Sequence, residues 1–306
     1  MGSEMCIRDR FAVLEDFGVL PRIAFNLDPC FKFCGACGKQ ALTTCMGYGC
    51  NAVGVTGTRI IDSPRERLIA ILTNSLSPCN GRFPLLIAII AMFFTGNSFL
   101  SALILLGFIA SSMAVTLLSS KVLTKTVLKG EASSFVLELP PYRKPQFFKI
   151  ILETIKDKVI FVLLRAVAVA APAGLIIWLL SNISINGTML LTLISDFLDP
   201  VGRLLGLDGV ILLGFILGFP ANEIVIPIIL MIYLSSGTLS DYSSLTDLKE
   251  ILVANGWTSV TAICTCIFSM FHFPCSTTLL TIWKETKSVK SVSYTHLRAH
   301  ETSLHL

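Results

Sequence analysis

Apolar runs of membrane length, separated by turn residues, set the pattern of this chain. Phe83 to Phe94 is apolar, Thr95-Gly-Asn-Ser98 is a turn signal, and Phe99 to Leu118 is apolar again. That pattern predicts a hairpin of two membrane helices. Val159 to Leu180 predicts another span, with Trp178 at the depth where aromatic rings anchor to the interface. Between these runs lie Lys121, Lys125, Lys129, Arg143 and Lys144, around Pro140-Pro141. Basic loops stay on the cytoplasmic side, so this one is expected there. Phe147 to Lys158 is amphipathic and is expected at the membrane surface. Ser181 to Asp208 carries Asp196, Asp199 and Asp208 against Arg203, and is expected outside.

Other apolar runs are broken. Gly209 to Leu234 is long enough to span but is interrupted by Gly218-Phe-Pro-Ala-Asn-Glu223, then by Pro227. Trp257 to Phe271 stops at Phe273-Pro274, and Cys275 to Trp283 ends in Lys284, Glu285 and Lys287. Near the front, Gly47-Tyr-Gly-Cys50 precedes one short run and Ser77-Pro-Cys-Asn-Gly81 interrupts another. Transporters build midplane sites from short hydrophobic segments broken by Gly or Pro. Aligning Cys50 with Cys275 puts an aromatic two positions before each (Tyr48, Phe273) and a breaker between (Gly49, Pro274). A basic residue follows nine positions later (Arg59, Lys284). An internal duplication is the expectation, with one break per half.

Composition agrees with a lipid setting. The 306 residues are 53% hydrophobic and 14% charged, whereas a soluble domain is about a quarter charged. The formal net charge of +4 gives no reason to expect a nucleic-acid partner. Met1 to Arg10 and Ser293 to Leu306 differ abruptly from the rest and read as adapter-like, non-native ends. Cys6, His296, His300 and His305 go with them. The expected organisation is a leader at 1–10, a first repeat at 11–120, a basic loop with an interfacial helix at 121–158, a second repeat at 159–292, and a tail at 293–306. The fold class expected is an all-α polytopic membrane protein with broken or re-entrant helices.

Several residues carry chemistry. Cys50 and Cys275 stand where a broken segment restarts as a helix, whose N-terminal potential favours thiolate. A thiolate can hold a borderline-soft divalent metal. Cys79 is a third candidate, and small-residue packing is the alternative for all three. Glu223 is a carboxylate in mid-span with no Lys or Arg close in sequence. An ionisable group at that depth points to function, and burial is expected there. Asn51, His272 and Ser276 flank the breaks and are weaker candidates. Cys34-Gly-Ala-Cys37 matches a redox or metal half-site, without a second C-x-x-C or a βαβ pattern. Gly35 to Gln40 lacks phosphate-loop spacing, so no nucleotide site is expected in these residues.

At these motifs the sequence resembles the bacterial ferrous iron transport protein B (FeoB) family, in its C-terminal membrane region. The segments carrying the resemblance are Leu14 to Asp28, Gly38 to Asn51, Thr58 to Pro84, Glu138 to Pro145, Gly218 to Glu223 and Phe273 to Thr286. The resemblance implies two gate-type repeats moving Fe2+ inward across the bacterial cytoplasmic (inner) membrane, as a multi-pass protein. It implies an N-terminal GTP-binding domain, with GTP and Mg2+ bound there and no cofactor held by these residues. Further partners it implies are the lipid bilayer, a small cytoplasmic accessory protein and other copies of the chain. By motif, Cys50 and Cys79 fall on first-gate cysteines, Cys275 on the second-gate cysteine, and Glu223 on the glutamate of the second broken helix. Two departures stand out. Ala52-Val53-Gly54 follows Asn51 where the family has Val-Pro-Ala, and Asn222-Glu223 replaces a common Lys-Glu pair.

The expected function is therefore the permease portion of a Fe2+ importer, not an enzyme. Its rivals are a gate-type transporter of an organic solute such as a nucleoside, and a membrane thiol oxidoreductase using Cys34 and Cys37.

Overall fold

The computed structural model describes residues 19–35, 37–94, 98–126, 160–185, 188–234, 244–288, 291–293 and 295. They are mostly helical, joined by turns, with two strands of two residues each. In order, the helices are α1 Val19–Phe33, α2 Lys39–Gly49, α3 Asn51–Gly57, α4 Pro64–Asn74, α5 Phe83–Phe93, α6 Ser98–Thr126 and α7 Ile160–Asn182. After the strands β1 Ser184–Ile185 and β2 Thr188–Met189 come α8 Leu190–Leu204, α9 Gly209–Leu217, α10 Val225–Tyr233, α11 Leu245–Ala254, α12 Ser259–Phe271 and α13 Ser276–Thr286. Short 3-10 turns at Thr58–Ile60 and Asn222–Ile224 precede α4 and α10.

Two stretches are long and apolar enough to cross a membrane: Phe99–Thr126 and Ser259–Thr286, the second carrying the break at Pro274. The α8–α9 pair passes the same test together, but it is bent by 106°. Only 11% of the apolar window in α6 is buried by other parts of the protein, so lipid must cover the rest. This is a membrane protein.

The chain forms two compact units. The first takes its described residues from 1–80, 111–166 and 277–295; the second takes its own from 81–110 and 167–276. In the first unit, α2 packs against α1, α3 and α4. Gln40, fully buried on α2, donates to Thr73 Oγ1 at 2.9 Å and Ser120 Oγ at 3.0 Å, tying α2 to α4 and α6. Glu285, at the end of α13, accepts two hydrogen bonds from Arg59 and one from Arg67 at 2.6–3.0 Å. In the second unit an apolar core of Ile177, Leu191, Leu213, Ile228, Met231 and Ile232 joins α7, α8, α9 and α10. Asp208 caps α9, accepting from Ile211 N at 2.6 Å, and also accepts the Tyr233 hydroxyl. Trp257 donates to that same hydroxyl at 2.9 Å and stacks on Phe93.

Most expected spans are present, with two corrections. Helix α6 runs to Thr126, so Lys121 and Lys125 belong to its last turns and not to the loop. The Lys121 ammonium lies over the Phe33 ring of α1, 4.2 Å from its centroid. The second concerns the acidic stretch 181–208, expected only to lie outside and assigned no element: it contains β1, β2 and α8. Helix α8 is strongly amphipathic, and its Asp196, Asp199 and Arg203 hide that helix from a reading based on apolar length. The expected interfacial helix at Phe147–Lys158 and both adapter-like ends, apart from Ser293 and Thr295, lie outside the described residues.

Glycine permits the sharp α8–α9 corner. A Cβ at Gly209 would sit 1.9 Å from Ser195 O, and one at Gly202 would sit 2.8 Å from Asp208 C. Both contacts are with backbone, which cannot swing aside. Gly209→Ala is therefore expected to lower stability by about 1–3 kcal/mol, the usual cost of forced overpacking. Thermal unfolding in detergent checks this, with Gly107→Ala on α6, where a Cβ meets nothing within 4 Å, as the neutral control.

Candidate functional site

A proline inside an apolar run orphans a carbonyl. The carbonyl four residues earlier loses its N–H partner, and the ring pushes that turn away. In lipid such an oxygen must be satisfied from within the protein. Each unit does so at a pair of breaks.

In the first unit, Cys50 separates α2 from α3 with extended backbone, φ −155° and ψ 120°. Asn74 O, at the end of α4, accepts from Ser77 N at 3.2 Å, and Asn51 adds a side-chain donor to it. The amide orientation of Asn51 follows from its surroundings. Turned with nitrogen inward, it donates to Gly47 O at 3.1 Å, Asn74 O at 3.2 Å and Ser77 O at 3.2 Å. Asn74 returns a bond from Nδ2 to Asn51 O at 2.9 Å. Asn80 N donates to Gly49 O at 3.3 Å. The breaks that carry Cys50 and Cys79 are thus bonded to each other. Gly54, one of the departures from the family pattern, makes room here: a Cβ there would meet the Asn74 amide at 2.6 Å.

In the second unit, Ala221 separates α9 from α10 with φ −152° and ψ 116°. Pro274 orphans Met270 O at the end of α12. Arg82, only 1% exposed, donates to Met270 O at 2.9 Å, His272 O at 3.1 Å and Phe273 O at 3.4 Å. Ser276 N, at the start of α13, donates to Phe219 O at 3.0 Å. His272 sits among Phe215, Phe268 and Phe273, with Nδ1 2.8 Å from Ser269 O and Nε2 3.4 Å from Asn222 Oδ1. Nδ1 thus contacts its own helix, and Nε2 faces the turn of the other break.

The internal duplication takes a different register from the one drawn on sequence. Gly47-Tyr-Gly-Cys50-Asn51 matches Gly218-Phe-Pro-Ala221-Asn222, with nearly the same torsions at Cys50 and Ala221. Pro78-Cys79 then matches Pro274-Cys275, each followed by a residue whose N–H bonds the other break. Cys50 pairs with Ala221 and not with Cys275. The cysteine common to two breaks misled the alignment, whereas torsions and hydrogen bonds identify the partners.

The structure gathers Cys50, Cys79 and Asn51 in the first unit, and Cys275, Ser276, His272 and Glu223 in the second. Glu223 corrects an expectation. It lies on the 3-10 turn with its side chain exposed in the described structure, not buried. Its Cγ packs against Gly81, where an added Cβ would lie 3.5 Å away. Asn51 is 3% exposed and its amide is committed to backbone, so it shapes the break. No group of three His, Cys, Asp or Glu side chains suited to a metal occurs among the described residues. Each unit instead offers a small set of donors at its paired breaks. The described cysteines at the breaks form no disulfide. Arg82 and Asn74 were not legible as site residues, although an Arg opening the apolar run Phe83–Phe93 was the available signal.

Cys34 and Cys37 do not suit thiol exchange. Both are buried, and burial, helped by the Glu66 carboxylate, pushes the Cys37 thiol up to about 12. A reactive cysteine needs the opposite shift.

The family described as nucleoside recognition (Gate) matches residues 11–93 and 163–289. The family described as ferrous iron transport protein B C terminus matches residues 85–157. The Fe(2+) transporter FeoB of Staphylococcus aureus is 31% identical over 91% of this chain and 41% of its own length. That of Synechocystis sp. is 30% identical over 90% of this chain and 44% of its own. That of Leptospira interrogans is 27% identical, over 90% and 43%. The chain spans less than half the length of these relatives. No solved structure matches it.

Two outcomes are expected. Asn51→Ala removes the amide that donates to three carbonyls and should cost about 1–3 kcal/mol, read as a lower unfolding temperature in detergent. In the native protein at pH 8, Cys37 should resist iodoacetamide and react only after unfolding, as peptide mass spectrometry would show. Its raised value keeps it a protonated thiol throughout that range.

Proposed function

We propose, because this chain belongs to the Gate family and carries the C-terminal membrane region of the ferrous iron transport protein B family, that it is the permease portion of a Fe2+ importer. The observation that carries this reading is the pairing of thiol-bearing breaks in a chain about 30% identical to proteins named Fe(2+) transporters. In this reading Cys50 and Cys79 form one station for Fe2+ in the first unit. Cys275 and Glu223 supply a second station in the second unit. Asn51, His272 and Ser276 position those donors.

The chemistry suits the cargo. Thiolate and carboxylate take Fe2+ readily, but Cu2+ and Zn2+ bind such donors more tightly. Selection for iron then rests on geometry and access. Carbonyls contribute less than a broken helix suggests, because Asn51, Arg82, Asn80 and Ser276 already occupy those at the breaks.

The permease is multi-pass in the bacterial cytoplasmic membrane and is not itself an enzyme. GTP hydrolysis, with its Mg2+, belongs to a GTP-binding domain coupled to it. A small cytoplasmic accessory protein and further copies of the chain complete the proposed partners. The Gate description also names nucleoside recognition. Thiols at three of the four breaks favour a metal over a sugar and base, which call for aromatic and hydroxyl contacts.

The test is uptake of radiolabelled Fe2+ by the full-length protein. Cys50→Ser and Glu223→Gln should each lower uptake by about tenfold or more at unchanged expression, as loss of one ligand typically does. Wild-type uptake in both variants would remove the proposed stations.

A further inference from the structure

A buried arginine at a membrane-depth break is costly unless it does something there. Arg82 is among the largest fully buried side chains of the protein. It opens α5, immediately after the Ser77-Pro-Cys-Asn-Gly81 break. Its guanidinium lies at the C-terminal end of α12, where the helix dipole favours positive charge. One nitrogen supplies the hydrogen bond to Met270 O that Pro274 cannot make. The other reaches His272 O and, more weakly, Phe273 O.

The neighbouring residue makes the second contact. Gly81 packs against the Asn222–Glu223 turn, with its position for a Cβ 3.5 Å from Glu223 Cγ and 3.7 Å from Asn222 Cβ. The Gly81-Arg82 corner therefore touches both breaks of the second unit. It is also joined covalently, through Asn80, to Cys79. One bond further along the α12 end, Ser276 N donates to Phe219 O and starts α13 directly after Cys275. The carbonyls that Arg82 holds thus fix where the chain leaves α12 and where Cys275 is delivered.

We propose that Arg82 is a positioning residue of the ion path: its guanidinium holds the broken end of α12 so that Cys275 and Glu223 face the same ion. This deepens the transport reading and rests on Cys275 and Glu223 serving as iron donors. Lysine can reach one carbonyl and keep the charge, but it cannot fork between two. Methionine fills similar volume and donates nothing.

The experiment uses the full-length protein in native membranes, with Arg82→Lys and Arg82→Met, and has two readouts. The first is the rate at which N-ethylmaleimide labels Cys275, followed by peptide mass spectrometry without any iron present. The second is Fe2+ uptake, resolved into maximal rate and KM. In Arg82→Met the α12 end should loosen, and labelling of Cys275 should rise by about fivefold or more, as expected of local opening. Its maximal uptake should fall by about tenfold or more with KM changed far less, as misplacement of reacting groups predicts. Arg82→Lys should lie between Arg82→Met and the wild type in both readouts. Unchanged labelling in Arg82→Met overturns the positioning role. If Arg82→Met fails to reach the membrane, labelling of Arg82→Lys decides, and a wild-type rate there overturns it too. Changed labelling together with normal uptake by Cys275→Ser would sink the transport reading and leave the positioning role standing.

Discussion

Hydrocarbon offers an unpaired carbonyl nothing to bond, and that constraint governs how this chain can break its helices. Each proline in an apolar run removes a donor and so creates an acceptor to be satisfied. At two of the breaks a side chain from elsewhere donates to the carbonyls gathered there. Asn51 serves Gly47, Asn74 and Ser77 in the first unit. Arg82 serves Met270, His272 and Phe273 in the second. The two solutions differ chemically but solve one problem. A neutral amide suffices where three carbonyls converge close to its own backbone. A long cation is used where the donor must reach the end of a different helix, and there the helix dipole offsets part of its burial cost.

The same constraint explains the glycines. Donors can reach orphaned carbonyls only if backbones approach closely, and close approach leaves no room for Cβ atoms. Gly47 and Gly54 flank the Asn74 amide, and Gly202 and Gly209 let the α8–α9 corner close. Gly54 stands where the family pattern has a larger residue. The half-helix after Cys50 is therefore not damaged by that departure, because Asn74 fills the space that the missing side chain leaves.

Much of this was legible beforehand. Apolar length located α5, α6, α7, α9, α10, α12 and α13, because lipid demands long uncharged runs. Gly-Pro punctuation located all four breaks. What escaped has a physical reason in each case. Helix α8 is amphipathic and carries charges on one face, so apolar length does not report it. Arg82 carried no reading from sequence, since sequence does not say which carbonyls lack donors. Glu223 was expected to be buried because its neighbours are apolar, but a 3-10 turn projects it outward. The repeat was sensed and its register missed. Matching on cysteine favoured Cys275, whereas the element being repeated is a backbone conformation that alanine adopts as readily as cysteine.

That register has a consequence for chemistry. Were Cys50 matched with Cys275, the two halves would present equivalent thiols and a symmetric site. With Cys50 matched to Ala221, the first unit keeps a thiol at both of its breaks and the second keeps one, beside a carboxylate. A soft donor pair in one half and a mixed set in the other bind a borderline metal with different strength. Such asymmetry requires the donors to be side chains, since backbone carbonyls would be alike in both halves. In the proposed transport reading, the amide and the guanidinium that occupy those carbonyls leave the ligands to side chains such as Cys50, Cys79, Cys275 and Glu223.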